Sequence, residues 1–217
     1  MLGFVARTPL RVVLVDLHRQ RWLDRTRVAA WIFAGEFALL VGLLVAALML
    51  ANHAFWAPIV VAGPLVMVEL WFEARSRGRR LLPELAGAVG VCSITAMIVL
   101  ADGGSARMAA GLWLLLGARA VTSIPHVRDL IACLHSRARH ATETIAADCA
   151  AIAMVVAAAC LDRGLVAGAV AVAAVVAIQR ISLLRPVPRP AVIGIQQMAM
   201  GWGVVVVTAI GVLAMAS

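Results

Sequence analysis

The sequence contains no lysine and no tyrosine, and only 14% of its 217 residues are charged. A chain without lysine cannot form the G-x-x-x-x-G-K-[ST] loop that binds nucleotide phosphates. The G-x-S-x-G turn that carries a nucleophilic serine is also absent, and no cysteine has an obvious base beside it. The sequence therefore offers no candidate catalytic residue, and it excludes a P-loop nucleotidase.

Hydrophobic residues make up 64% of the chain, and its mean hydropathy is +1.00. A soluble domain has only about 45–50% apolar residues, so this composition predicts a protein that lives in a lipid bilayer. The net charge of +8 could suggest a nucleic-acid partner. However, the arginines lie in short segments between apolar runs, where charge sets membrane topology, and no nucleic-acid-binding motif accompanies them. We therefore expect no nucleic-acid partner.

Seven apolar runs are long enough to cross a hydrocarbon core of about 30 Å as helices. They cover residues 28–51, 54–73, 81–101, 108–127, 141–161, 165–181 and 191–215. Barrel strands would instead alternate between apolar and polar residues in short segments. The sequence therefore predicts an all-α, polytopic transmembrane helical bundle of about seven spans.

The arginines predict the orientation of this bundle. All but three of the 19 lie before the first span or in the regions of the second-to-third, fourth-to-fifth and sixth-to-seventh connections, where Arg180 is at the end of the sixth run. Arg107 and Arg163 lie on the opposite side, and Arg119 lies inside the fourth span. The positive-inside rule then places the N-terminus in the cytoplasm and the C-terminus outside. We expect a multi-pass protein of the cytoplasmic (inner) membrane of a bacterium.

Residues 1–27 form a charged leader, and we expect no cleavable signal peptide in it. Thr8 is suited to cap a helix and Pro9 to be its first residue. One face of this helix is apolar and carries Leu10, Val13, Leu14 and Leu17. We predict a short interfacial helix on the cytoplasmic surface, with a substrate-gripping loop as the alternative. Residues 28–217 are predicted to form a single transmembrane domain.

Metal and haem sites are not indicated. Cys133, His135 and His140 lack standard zinc spacing and lie in a basic loop. His126 is near the end of a span and His53 is in an external turn, whereas a haem needs histidines deep in facing helices. We therefore predict no metal and no cofactor. All cysteines lie in spans or on the cytoplasmic side, so disulfides are not expected; they are Cys92, Cys133, Cys149 and Cys160.

Three charged residues lie deep in the predicted spans. Glu36 and Arg119 are about eight residues from the cytoplasmic ends of the first and fourth spans, and Asp148 is about seven from that of the fifth. Because a charge inside a bilayer costs about 2.5–3.5 kcal/mol, we expect these groups to face protein or water and to pair. A purely structural explanation is that Arg119 pairs with Glu36 or Asp148 to fix helix packing.

Helical spacing predicts a polar cavity around Arg119. Arg119, Thr122, Ser123 and His126 follow one another at i, i+3, i+4 and i+7 and so share one face of the fourth span. Pro125 should free a backbone carbonyl near residue 121. We predict a cavity that opens to the cytoplasm and binds a small anion or a lipid headgroup. Its candidate lining is Arg119, Thr122, Ser123, His126, Glu36, Asp148 and Glu84, with Arg79, Arg80 and Arg128 at the mouth.

Three segments carry a resemblance to a known family: FVARTPLRVVLVDLHRQRW (4–22), ARSRGRRLLPELAGA (74–88) and ARAVTSIPHVRDLI (118–131). Over roughly residues 4–135 the chain resembles the YwiC-like family of bacterial integral membrane proteins. The resemblance implies a membrane protein but no particular chemistry. Members typically carry a further hydrophobic region with a His-Gly-Ala-Trp-like motif before the Arg-Thr-Pro-Leu-like segment, and this sequence lacks both.

A more distant resemblance leads to the alternative functions. Two additional spans would give the nine of the UbiA-type intramembrane prenyltransferases, which bind a prenyl diphosphate through magnesium and Asp-rich motifs. In this chain Asp16, Asp24, Asp129 and Asp148 are scattered, without the spacing of such motifs. A protein that binds or transports a small anion or a lipid headgroup is the main hypothesis. A prenyltransferase-like enzyme and a structural or accessory subunit are the alternatives, and the sequence does not predict the oligomeric state.

The predicted orientation can be tested with reporter fusions. Alkaline phosphatase fused to the C-terminus should be active, because it would lie outside the cytoplasm, and green fluorescent protein at the same position should be dark. The matched control places both reporters after Ala138, in the loop between the fourth and fifth spans, where the activities should be reversed. Fluorescence at the C-terminus would contradict the arginine-based orientation.

Overall fold

The structure is a computed structural model that describes residues 2–18, 20–50, 55–75, 80–136, 138 and 140–216. Every regular element in this part of the chain is helical, and a 3₁₀ turn at Arg163–Leu165 precedes α7. The helices are α1 (Leu2–His18), α2 (Asp24–Leu50), α3 (Ala57–Ala74), α4 (Leu81–Ala101), α5 (Ala106–Leu134), α6 (Ala141–Leu161), α7 (Val166–Ser182) and α8 (Pro190–Ala216).

Seven helices are long and apolar enough to span a membrane: α2 to α6, α7 together with its 3₁₀ turn, and α8. This confirms the predicted all-α, seven-span architecture and the multi-pass membrane class, while the orientation stays a prediction. The fourth span is longer than expected, because α5 continues through Pro125 to Leu134. The charged residues that suggested an earlier end, Arg128 and Asp129, are satisfied by neighbouring helices, so the helix can continue past them.

α5 is the centre of the bundle and contacts α4, α6, α7 and α8. Leu115 and Ala118 of this helix are fully buried, together with Ala151 of α6 and Val172 of α7. Trp113 adds a polar tie, since its Nε1 donates to the carbonyl of Val89 in α4 over 2.8 Å. Alanine and valine make up most of this core, and Gly111, Gly117 and Gly168 are buried beside it; small residues allow helix backbones to approach closely in a membrane.

α1 and α2 form an antiparallel hairpin at the edge of the bundle, and α1 also touches α3. α1 begins at Leu2, with Pro9 inside it, so the predicted start at Thr8 and Pro9 is wrong. An interior proline removes one backbone hydrogen bond from the helix. The contacts of α1 with α2 stabilise the helix despite this missing bond. α2 contacts no other helix in the described residues. The surface location of the leader and the division at residue 27 stay predictions.

Asp16 fixes the corner between these helices. Its carboxylate is buried and accepts hydrogen bonds from Arg25 Nη2 at 3.0 Å and from Thr26 Oγ1 at 2.6 Å. The Thr26 hydroxyl in turn accepts from the backbone N–H of Leu23, at the start of α2. One carboxylate therefore connects the end of α1 to the first turn of α2.

We predict that Asp16→Asn loosens the α1–α2 corner. The change weakens two charge-assisted hydrogen bonds and should destabilise the corner by roughly 1–3 kcal/mol, the cost of poorly satisfied buried polar groups. The measurement is the rate of trypsin cleavage after Arg21, which should rise about tenfold or more. Asp24→Asn is the matched control, because Asp24 is exposed. Equal cleavage rates in the two variants would contradict the role of Asp16.

Candidate functional site

A groove of about 650 Å³ lies between α4, α5 and α8. Three charged residues line it, Glu84 of α4 and Arg119 and Arg128 of α5, together with the polar Ser123 and Gln197. Its apolar lining includes Cys92, Leu116, Ala120, Ile124, Val127 and Ile131. The structure thus provides a mostly apolar groove with a few polar groups, the usual composition of a small-molecule site.

Arg119 is held by a neutral residue. Its Nη2 donates to both oxygens of Gln197 in α8, the side-chain Oε1 at 2.9 Å and the backbone carbonyl at 3.0 Å. Its Nε is buried and has no hydrogen-bond partner among the described residues. No carboxylate of the described chain forms an ion pair with it. The positive charge of Arg119 is therefore held in place but not neutralised.

The expected pairing of Arg119 with Glu36 or Asp148 is wrong. Asp148 instead accepts from Arg180 Nε over 2.5 Å, because Arg180 lies in the last turn of α7 and not in a loop. Glu36 is far along α2, where it lines a separate groove with α1 residues Thr8 and Pro9. Neither of the two acidic residues that the sequence suggested is therefore a partner of Arg119.

A chain of polar side chains in contact runs from the groove into the bundle. Gln179 Nε2 donates to Gln197 Oε1 at 3.2 Å, and Gln179 Oε1 lies 3.0 Å from the hydroxyl of Thr122. This hydroxyl donates to Asp148 Oδ1 over 2.5 Å, and Arg180 holds the other carboxylate oxygen. Gln179 and Thr122 are almost fully buried. The chain joins α5, α6, α7 and α8 through polar side chains.

The predicted polar stripe of α5 faces two environments. It covers about 100° of the helix surface at 3.6 residues per turn, which is wide enough to meet several neighbouring helices. Arg119 and Ser123 line the groove, and the Ser123 hydroxyl donates to the Arg119 carbonyl at 2.6 Å. Thr122 and His126 are buried on the other edge. His126 Nε2 there lies 3.4 Å from the hydroxyl of Ser182 in α7.

Of the arginines predicted at the mouth, the structure places Arg128 in the groove lining. Arg128 donates to Glu84 over 2.9 Å, so these two residues form an ion pair. Arg80 is exposed at the residue before α4 and does not line the groove. Arg79 lies outside the described residues. Of the predicted site residues, the structure brings Arg119, Ser123, Glu84 and Arg128 together in this groove.

The aspartates of the described chain are engaged separately. Asp129 of α5 accepts from the backbone N–H of His140 at 2.9 Å and from the hydroxyl of Thr144 at 2.6 Å, and so satisfies the start of α6. Asp16 binds Arg25, and Asp148 binds Arg180. Among the described residues, no group of three histidine, cysteine or acidic side chains is arranged to hold a metal ion.

Sequence reasoning missed three residues of this network. Arg180 lies at the end of the sixth run and counts among the topology-setting arginines, and Gln179 and Gln197 carry no charge that would single them out. A signal was present for both glutamines. Each interrupts an apolar helix, and a primary amide inside a membrane needs hydrogen-bond partners.

Comparison with known proteins gives one match. Residues 1–99 match the family model of YwiC-like proteins, which confirms the resemblance noted in the sequence over this part of the chain. The match includes the segments at 4–22 and 74–88 and covers α1 to α3 and most of α4. The segment at 118–131, with Arg119, lies beyond it. No curated protein and no solved structure matches the chain.

The two ion pairs of this region should differ in their contribution to stability. The carboxyl side chain is 12% exposed in the Asp148–Arg180 pair and 32% exposed in the Glu84–Arg128 pair. Breaking a buried pair costs roughly 3–5 kcal/mol, whereas an exposed pair contributes about 0–1 kcal/mol. We expect Asp148→Asn to lower the thermal unfolding midpoint in detergent by several degrees and Glu84→Gln to change it little. Equal shifts would contradict this assignment.

Proposed function

We propose that this protein binds an anion in the groove between α4, α5 and α8, and that Arg119 contacts it. The anion is either a small molecule or the headgroup of a lipid. The observation that carries the proposal is the neutral environment of Arg119, whose only hydrogen-bond acceptors in the described residues are two oxygens of Gln197. A charge inside a bilayer costs about 2.5–3.5 kcal/mol. A bound anion would offset this cost.

The chemistry of the guanidinium supports an oxyanion ligand. Arginine presents five N–H donors in a planar fork that matches carboxylate and phosphate groups. In Arg119 the described residues use only Nη2, and Nε is buried, so Nη1 is the nitrogen that remains for a ligand. Ser123 lies one turn along the same helix and lines the same groove. Its hydroxyl oxygen can still accept a hydrogen bond from a ligand, for example from a glycerol hydroxyl.

The alternatives have less support. An accessory subunit would explain Arg119 as half of an ion pair that fixes helix packing, and no such pair is present in the described residues. A magnesium-dependent prenyltransferase would need carboxylates that converge on a metal, whereas Asp129 and Asp148 each bind other side chains. The binding protein would act in the cytoplasmic membrane of a bacterium, and transport of the bound anion is an extension of the same proposal.

The test compares two arginines of α5. Purified wild-type, Arg119→Gln and Arg107→Gln proteins are heated in detergent with and without oleate, dioleoylphosphatidylglycerol or inorganic phosphate. An anion present at about 100 times its Kd should raise the unfolding midpoint of the wild type by roughly 5–10 °C. Arg107 is exposed at the N-terminal end of the helix, away from the groove, and serves as the matched control. Its variant should be protected like the wild type, and Arg119→Gln should not be protected.

Two outcomes would contradict the proposal. Protection of Arg119→Gln equal to that of the wild type would show that the anion binds elsewhere. Failure of every anion to protect the wild type, with Arg119→Gln less stable than Arg107→Gln, would make Arg119 a packing residue and favour the accessory subunit.

A further inference from the structure

The charges that line the groove add up to one positive charge. Glu84, Arg119 and Arg128 are the charged residues in its lining. Glu84 and Arg128 form an ion pair at 2.9 Å and so largely neutralise each other. Arg119 has no carboxylate partner in the described residues. A ligand with one negative charge would therefore make the groove neutral, and each further negative charge would lie uncompensated in a medium of low dielectric constant.

Gln197 maintains this charge balance. It holds Nη2 of Arg119 with two oxygens but contributes no charge. Gln179 donates to the same Gln197 Oε1 and thereby orients the amide oxygen towards Arg119. Behind Gln179, the charge of Asp148 is already compensated by Arg180. The arrangement positions the guanidinium and leaves its charge available.

The walls of the groove indicate the rest of the ligand. Arg119 and Arg128 are nine residues apart on α5, which corresponds to about 13–14 Å along a helix. The lining between and beside them is apolar, with Ile124 and Val127 between the two arginines and Leu116 and Ile131 beyond them. The polar groups of a hydrophilic ligand would find no hydrogen-bond partners along this apolar surface, whereas a hydrocarbon chain needs none.

We infer that the groove selects an amphiphile with a single negative charge, a hydrocarbon chain that carries one phosphodiester or one carboxylate, and that Gln197 sets this selectivity by keeping Arg119 unneutralised. This inference rests on the proposed function and names the ligand class of the same site. The oxyanion contacts Arg119, and the chain lies along the apolar face of α5.

The first experiment measures Kd for the wild-type protein in detergent at pH 8, by titrating the unfolding midpoint. Dioleoylphosphatidylglycerol carries one charge, and dioleoylphosphatidic acid has the same chains but a phosphomonoester, which can lose a second proton and carry a second negative charge. We expect the phosphodiester to bind at least about tenfold more tightly, a factor that corresponds to one modest electrostatic interaction. Glycerophosphoglycerol, the same headgroup without chains, should bind at least about tenfold more weakly. Oleate tests the carboxylate.

The second experiment tests Gln197 directly. Gln197→Glu should form an ion pair with Arg119, keep or raise the unfolding midpoint, and weaken the binding of phosphatidylglycerol by about tenfold or more. Gln196→Glu introduces the same charge at the adjacent residue, which is exposed and does not line the groove. This control should bind like the wild type. A merely structural role for Gln197 would not separate ligand affinity from stability in this way.

The outcomes distinguish the inference from the proposed function. Tight binding of phosphatidylglycerol or oleate with weak binding of phosphatidic acid supports the single-charge selection, and the tighter probe names the headgroup. Equal or tighter binding of phosphatidic acid, equal binding of the chain-free headgroup, or unchanged affinity in Gln197→Glu would overturn the inference but leave anion binding at Arg119 intact. If no anion protects the wild type, the proposed function itself fails.

Discussion

The bond between Arg119 and Gln197 is the contact on which the site depends. Between helices in a bilayer, apolar contact provides little net driving force, because lipid tails are as apolar as leucine. Polar contacts and the close approach of small residues hold such helices together. The two hydrogen bonds of Arg119 tie α5 to α8, and the chain through Gln179, Thr122 and Asp148 extends the tie to α6 and α7.

The groove follows from the way the helices are arranged around α5. α4 and α8 both contact α5 but not each other in the described residues. The gap between them therefore has α5 as its floor, and every side chain on that face of α5 becomes lining. Arg119 and Ser123 lie on this face, whereas Thr122 and His126 are turned towards α6 and α7. Residues of one polar stripe on α5 thus line the groove on one edge and join a buried hydrogen-bonded network on the other.

The spans could be predicted from the sequence because they depend only on the length and apolarity of a run, which no tertiary contact changes. The position of Arg119 inside a span could be predicted for the same reason. The residue that it contacts could not be predicted, because a contact depends on the rotation of each helix and on side chains from distant segments. Arg180 looks like one of the arginines that set topology, yet it contacts Asp148 from the last turn of α7. Gln197 was missed because neutral residues do not stand out in a search for buried charge. The helical start at Leu2 was missed because Pro9 suggested a first residue.

The contrast among the three buried or half-buried arginines bears on function. Arg180 and Arg128 each pair with a carboxylate, which is enough to explain their presence through packing. Among the described residues Arg119 has only Gln197 as a partner, which leaves the cost of a charge inside a bilayer, about 2.5–3.5 kcal/mol, without a compensating carboxylate. A charged residue whose cost inside a membrane is not compensated by an ion pair is usually a functional residue. Since Gln197 orients the guanidinium without neutralising it, the remaining charge is the one that the proposed anion would compensate.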